Sequence, residues 1–106
     1  MLKAALILAL FTAPAAQAQR AGCELTVYEH TNYRGETWRV LESTPAVEER
    51  WNDRISSLII TAGTWEFFEH AEYGGHKVTL RPGRYSWIGE RLEDEVSSFR
   101  CIRPGR

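Results

Sequence analysis

Val27-Tyr28-Glu29-His30-Thr31-Asn32-Tyr33-Arg34-Gly35 returns 40 residues later as Phe67-Phe68-Glu69-His70-Ala71-Glu72-Tyr73-Gly74-Gly75. Further along, Asn52-Asp53-Arg54-Ile55-Ser56-Ser57 returns at an offset of 41 as Glu93-Asp94-Glu95-Val96-Ser97-Ser98. Two copies of one unit, differing by a single inserted residue, therefore make one small domain, each burying what the other exposes. The second element of each copy is rich in oxygen, so the repeat carries chemistry as well as fold.

Between these elements the chain reads as all-β. Leu25 to Tyr28, Thr37 to Leu41, Ser57 to Thr61, Trp65 to Glu69, His76 to Leu80 and Ser98 to Ile102 are short runs rich in Val, Ile, Thr, Trp and Phe, separated by turn residues. Trp38 and Val40 align with Val78 and Leu80, with Arg39 and Thr79 between them, the alternation of a sheet with one buried face. Glu42 to Trp51 and Gly89 to Leu92 are more polar and suit short helical turns, while Arg81-Pro82-Gly83-Arg84 reads as a turn. Gly35 and Gly75 each follow a tyrosine by two residues at a hairpin tip, where a positive φ lets the loop fold back on its own sheet.

The first 18 residues are of another kind. Lys3, the apolar run Ala4 to Phe11 and the closing Ala16-Gln17-Ala18 have the three parts of a secretory leader, and the run is shorter than the roughly 20 residues of a spanning helix. Cleavage after Ala18 would leave residues 19–106, expected to be soluble and secreted or periplasmic, without membrane attachment. In that mature form 14 acidic residues face 12 basic ones, and no basic block exists to neutralise phosphates, so nucleic acid is excluded as a partner. A chain this short buries only about 60–65% of its unfolded surface and needs a staple. Cys23 and Cys101, an even count in an exported chain, read first as a disulfide closing nearly the whole domain, with two buried thiols as the alternative.

The spacing aromatic, four residues, aromatic, one residue, glycine, carried by Tyr28, Tyr33 and Gly35 and again by Phe68, Tyr73 and Gly75, resembles the folded hairpin of the βγ-crystallin family, above all its single-domain microbial members. The resemblance covers Leu25 to Ile102. It implies a β-sandwich of two intertwined Greek keys, about 23–62 and about 63–103, in which the fourth strand of each key joins the other's sheet. On that expectation Ser98 to Ile102 lies beside Leu25 to Tyr28, which brings Cys101 to Cys23. Ser57 and Ser98 are assigned as locks on the hairpins.

Calcium-binding members of the family carry a loop of Asn or Asp twice, two variable residues, Ser or Thr, then Ser. Residues 52–57 fit it at every place, and residues 93–98 at all but the first, where Glu93 is longer. The resemblance thus implies carboxylates from Asp53 and Asp94, hydroxyls from Ser56 and Ser97, and main-chain carbonyls from Arg54, Glu95, Glu29 and Glu69, with Asn52 and Glu93 opening the two loops. Oxygen donors on tight loops completed by water suit calcium, which takes six to eight oxygens, and few formal charges per site point to a dissociation constant of about 10⁻³ to 10⁻⁵ M.

Other readings compete with this one. A short Asn-Asp loop also serves as an Asx turn bonded to nearby amides. His30 and His70 recur with the hairpin rather than in a zinc pattern. No acid and base pair or nucleophilic triad is singled out, so a non-enzymatic, monomeric module is expected. Trp38, Trp51, Trp65 and Trp87 suit core packing more than sugar stacking. The second functional reading is a secreted peptidase inhibitor or a surface-adhesion or carbohydrate-binding module.

Overall fold

The computed structural model describes residues 22–92 and 95–105; the leader read at 1–18 lies outside them. Among the described residues the elements are β1 Glu24–His30, β2 Arg34–Val40, β3 Ser57–Ala62, β4 Thr64–His70, β5 Gly74–Leu80, β6 Gly83–Tyr85, α1 Gly89–Leu92 and β7 Ser98–Arg103. They build two antiparallel sheets, ordered β2-β1-β3-β6 and β5-β4-β7. The all-β sandwich expected from the alternation is present, with one helical turn.

The two hairpins share one register. Leu25 pairs with Val40 and Val27 with Trp38 in the first, Trp65 with Leu80 and Phe67 with Val78 in the second. These residues face inward, while Thr26 opposite Arg39 and Glu66 opposite Thr79 lie on the other face of their sheets. The core gathers from both sheets around Phe99, whose ring centroid lies 5.6 Å from Trp38, 6.1 Å from Trp65 and 5.8 Å from Phe67. Leu25, Val27, Ile55, Leu58, Ile88 and Val96 complete it with no more than a trace of exposure. Burial of this apolar surface is the main favourable term in holding the sheets together.

Each hairpin folds over at its tip. Asn32 and Tyr33 (φ 57° and 60°) and Glu72 and Tyr73 (φ 56° and 58°) are left-handed, which costs a side-chain-bearing residue about 1–2 kcal/mol. A buried serine holds each tip there. Ser57 Oγ accepts from the Tyr33 amide at 3.0 Å and donates to the His30 carbonyl at 2.6 Å. Ser98 Oγ does the same for Tyr73 and His70 at 3.1 and 2.7 Å. The tyrosine rings then lie edge-on against Tyr28 (5.7 Å) and Phe68 (5.5 Å), covering the end of the core. Gly35 and Gly75 have φ of 87° and 79°, and a Cβ on either would stand within 2.6 Å of the His30 or His70 ring. The repeated histidines thus pack on the repeated glycines.

The strand exchange differs from expectation. β7 pairs with β4 and β3 with β1, so the fourth strands stay with their own hairpins and Ser98 to Ile102 does not lie beside Leu25 to Tyr28. The third segments cross instead. β6 joins β3 of the first copy, and Thr44 bridges Phe99 of the second. Matching amides seal both crossings: Val47 donates to Ser97 O at 2.9 Å, and Ile88 to Ser56 O at 3.0 Å. The cause is the serine lock, which ties the start of each fourth strand to its own hairpin and leaves only the short third segments free to exchange. Accordingly Gly83 and Arg84, read as turn, belong to β6, where Gly83 pairs with Ile60 and Arg84 with Ile59.

Cys23 and Cys101 are nonetheless joined, with Cα atoms 6.2 Å apart. The bond runs between sheets rather than within one. β3 passes into β4 through Gly63 (φ 89°), which lies against the Gly22 carbonyl and Cys101 Sγ, so the start of β1 and the end of β7 meet at that crossing. On the outer face of the second sheet, Glu66 is buried on the central strand and accepts from Lys77 Nζ and Arg100 Nε, both at 2.9 Å. The Lys77 hydrogen bond, reinforced by Arg100, holds the Glu66 carboxyl below its ordinary range against the opposing effect of burial.

Three outcomes follow from these contacts. Ser57→Ala and Ser98→Ala should each cost about 2–3 kcal/mol in urea unfolding, since each strips two buried hydrogen bonds from a strained tip. Reducing the disulfide, whose separation is 78 residues, should remove about 2–5 kcal/mol, read from the shift in urea midpoint with and without a thiol reductant. Glu66→Gln should cost about 2 kcal/mol at pH 7. Because the folded-state pKa is lowered, that difference should be complete above the unfolded value of about 4.3 and vanish as pH falls through the folded one, in paired denaturation series.

Candidate metal centre

At the end of the sandwich remote from the disulfide, the residues 52–57 and 95–98 come together. The Ser97 hydroxyl donates to Asn52 Oδ1 at 2.7 Å, and the Asp53 amide approaches the Val96 carbonyl at 3.4 Å. Asp53 takes a left-handed φ of 60°, a conformation aspartate tolerates better than most residues. Its side chain and that of Arg54 are exposed, while Ile55 between them and Ser56 is buried and anchors the loop. Val96 does the same for the second loop.

Each loop is pinned to its own hairpin by one equivalent bond. The Ser56 amide donates to Tyr28 O and the Ser97 amide to Phe68 O, both at 3.0 Å. The next residue in each hairpin, Glu29 or Glu69, sits where the strand register slips, between Tyr28 and His30 and between Phe68 and His70. Neither has a partner in its ladder. Such bulges re-aim a residue out of the sheet. Glu29 and Ser56, and likewise Glu69 and Ser97, are thereby brought to the same edge.

Of the residues singled out by sequence, Glu29, Asn52, Asp53, Arg54 and Ser56 lie at this edge together with Glu69, Glu95 and Ser97; Glu93 and Asp94 fall outside the described residues. Among the described residues no three His, Cys, Asp or Glu side chains converge as a metal-binding group. A cation here would rest on a mixed set of carboxylate, amide, hydroxyl and carbonyl oxygens, which fits a hard ion of tolerant coordination geometry and not one that prefers imidazole or thiolate.

The side chains of Glu29 and Glu69 were assigned no role by the sequence, which offered only their carbonyls. Glu29 Oε1 accepts from the Glu36 amide at 3.4 Å, and its other oxygen faces Arg54 Nη1 at 3.7 Å. Glu69 Oε1 accepts from the His76 amide at 3.4 Å. That amide, followed by a hydrogen bond shared with the Glu95 carboxyl, holds the Glu69 carboxyl below its ordinary range. The available signal was the repeat itself, which sets Arg54 and Glu95 at equivalent places beside equivalent glutamates.

The tryptophans divide between core and surface. Trp65 is fully buried with its indole N–H on the Ala62 carbonyl at 3.0 Å, and Trp51 is 6% exposed with its ring 5.9 Å from that of Trp38. Only Trp87, 51% exposed, presents a substantial face among the four.

Compared with known proteins, residues 24–102 match the family model described as Beta/Gamma crystallin. Gamma-crystallin 2 of Rana temporaria is 34% identical over 87 residues, covering 79% of this chain and 52% of its own length. Beta-crystallin B2 of Gallus gallus is 26% identical over 94 residues, with 85% and 43% covered. The chain thus spans about half the length of these curated relatives. Among solved structures, a betagamma-crystallin from an archaeon superposes with a TM-score of 0.70 at 38% identity, covering 76% of this chain and 99% of the other. A beta gamma crystallin from Ciona intestinalis superposes at 0.68 with 27% identity, covering 74% and 98%. The folded hairpins with their serine locks and these likenesses agree, and the chain belongs to the beta/gamma crystallin family.

Proposed function

We propose that this domain is an exported, non-enzymatic calcium-binding module in which the ion stabilises the fold by tying the two loops to each other. The observation that carries the reading is the meeting of the loops through Ser97 and Asn52 at 2.7 Å, beside two glutamates that the strand ladders leave out. Asn52, Asp53, Ser56 and Ser97, with the carbonyls of Arg54, Glu95, Glu29 and Glu69, form the oxygen set; Glu93 and Asp94 extend it in sequence. When bound, calcium supplies a divalent positive charge that six to eight such oxygens and water share.

The chain's own residues perform the rest. Ile55 and Val96 hold the loop backbones down, so ordering the donors costs less on binding. The hydroxyls of Ser57 and Ser98 are spent on the hairpin tips, which leaves those of Ser56 and Ser97 as the loop donors. Since an unfolded chain lacks the arrangement, binding adds to stability by mass action, about 2.7 kcal/mol at a free ion concentration 100 times the dissociation constant. Export is supported by the tripartite leader ending at Ala18 and by the disulfide, which persists in oxidising compartments.

Calorimetric titration of the oxidised mature form with calcium should give a dissociation constant of about 10⁻³ to 10⁻⁵ M. The melting temperature should rise by roughly 10–20 °C at saturation. Asp53→Ala and Asp94→Ala should each weaken binding, with loss of both sites from one substitution if the loops share donors. A melting curve unmoved by millimolar calcium would remove this reading. Mass spectrometry of the exported chain should find Gln19 at its N-terminus.

A further inference from the structure

β2 and β5 are matching edge strands of the two sheets, and they are finished differently. Val47 and Ile88 make the same amide bond to the opposite loop, so residues 48–51 and 89–92 correspond. In the second copy these residues form α1, which lies against β5. In the first they form turns, with the Trp51 and Asn52 amides both on the Glu48 carbonyl at 2.8 and 2.9 Å. The side chains differ as well: where the second copy has Val78 and Leu92, the first has Trp38 and Trp51, whose rings lie 5.9 Å apart. Since valine suffices opposite Phe67, core packing alone does not call for an indole opposite Val27.

Two hollows flank Trp38. One, of about 380 Å³, lies between its indole and the stretch from Arg39 to Pro45; the other, of about 270 Å³, is walled by Thr37, Trp38, Glu48, Arg50 and Trp51. The larger is of small-molecule size, and Trp38 is the wall they share. Its half-buried indole packs on Phe99 at 5.6 Å and on Trp51, so it is fixed before any ligand arrives. Each hollow is lined by one base and one acid, Arg39 with Glu42 and Arg50 with Glu48. Arg39 already bonds Glu24 at 2.7 Å, and Arg50 bonds Glu36. With the linings balanced and both guanidiniums answered, neither an anion nor a cation is favoured. What remains is an aromatic wall, further guanidinium N–H donors, carboxylate acceptors and the Thr37 hydroxyl.

We propose that the β2 edge binds a neutral saccharide of at least two units, straddling Trp38 with one unit in each hollow. The face of an aromatic ring is electron-rich, and the C–H face of a pyranose brings weakly positive hydrogens to it. Sugar hydroxyls both donate and accept, so they accept from the Arg39 and Arg50 guanidiniums and donate to Glu42 and Glu48 without disturbing the charge balance. A purely apolar ligand would strip water from these groups and leave them unpaired, which is costly. None of residues 52–57 lines either hollow, so the site stands apart from the calcium reading.

The test is calorimetric titration of the oxidised protein with maltose, cellobiose, lactose and N,N′-diacetylchitobiose. At least one should bind, in EGTA as in calcium, with a shift in tryptophan emission. Trp38→Val, matching Val78 of the second copy, should weaken binding about tenfold, the scale of one aromatic contact, in a variant whose cooperative melt shows it to be folded. Arg50→Ala, on the exposed rim, should weaken binding by a similar factor without touching the core. Trp87→Ala, which removes the most exposed indole, should leave binding unchanged. Absence of heat with all of these sugars overturns the proposal. Binding that is unchanged in folded Trp38→Val or in Arg50→Ala, that is lost in Trp87→Ala, or that requires calcium overturns it equally.

Discussion

A single hydroxyl on each fourth strand is the contact on which the architecture depends. Ser57 and Ser98 are both fully buried, and each binds one amide and one carbonyl of a hairpin tip that would otherwise spring out of its left-handed turn. With the tip held, the tyrosine covers the core and the register slip at Glu29 or Glu69 is fixed. The same lock places the loop before the fourth strand against its own hairpin. Remove the hydroxyl and both the cap on the core and the position of the candidate site lose their common support.

The lock also accounts for the way the two copies interlace. Because β3 and β7 begin at locked serines, neither can leave its hairpin, and only the third segment of each copy has slack to cross. The crossings then draw the loops of the two copies into contact, since Val47 reaches Ser97 and Ile88 reaches Ser56. A bond that acts within one copy thereby produces a juxtaposition between copies. The meeting of the two loops at one edge is a by-product of how the fold closes.

Much of this was legible in the chain. The period-2 runs, the aromatic and glycine spacing and the duplicated loops led to the strands, the hairpins and the serine locks. Which strand crosses was not legible. β6 is three residues long and begins inside Arg81-Pro82-Gly83-Arg84, whose Pro and Gly look like turn and nothing else. Its strand character comes from Ile60, 23 positions away, and no local pattern records a pairing of that range. The loop edge divides similarly: Asn52, Asp53, Ser56 and Ser97 stand out by spacing, but the charge opposition of Arg54 and Glu29 spans 25 positions and becomes visible only when the loop is laid on its hairpin.

The covalent link and the loop edge sit at opposite poles of the sandwich. Cys23 precedes the first residue of β1 and Cys101 lies in the latter part of β7, while Tyr28 and Ser98 mark the loop end of the same strands. One pole is therefore covalently closed and the other is latched by packing and polar contacts alone. Partial opening of such a body is free to proceed like a jaw only from the latched side, because at the other pole a covalent bond ties the sheets together. Whatever fastens that side meets the portion of the molecule with the most freedom left to surrender, and its effect on resistance to unfolding is correspondingly amplified.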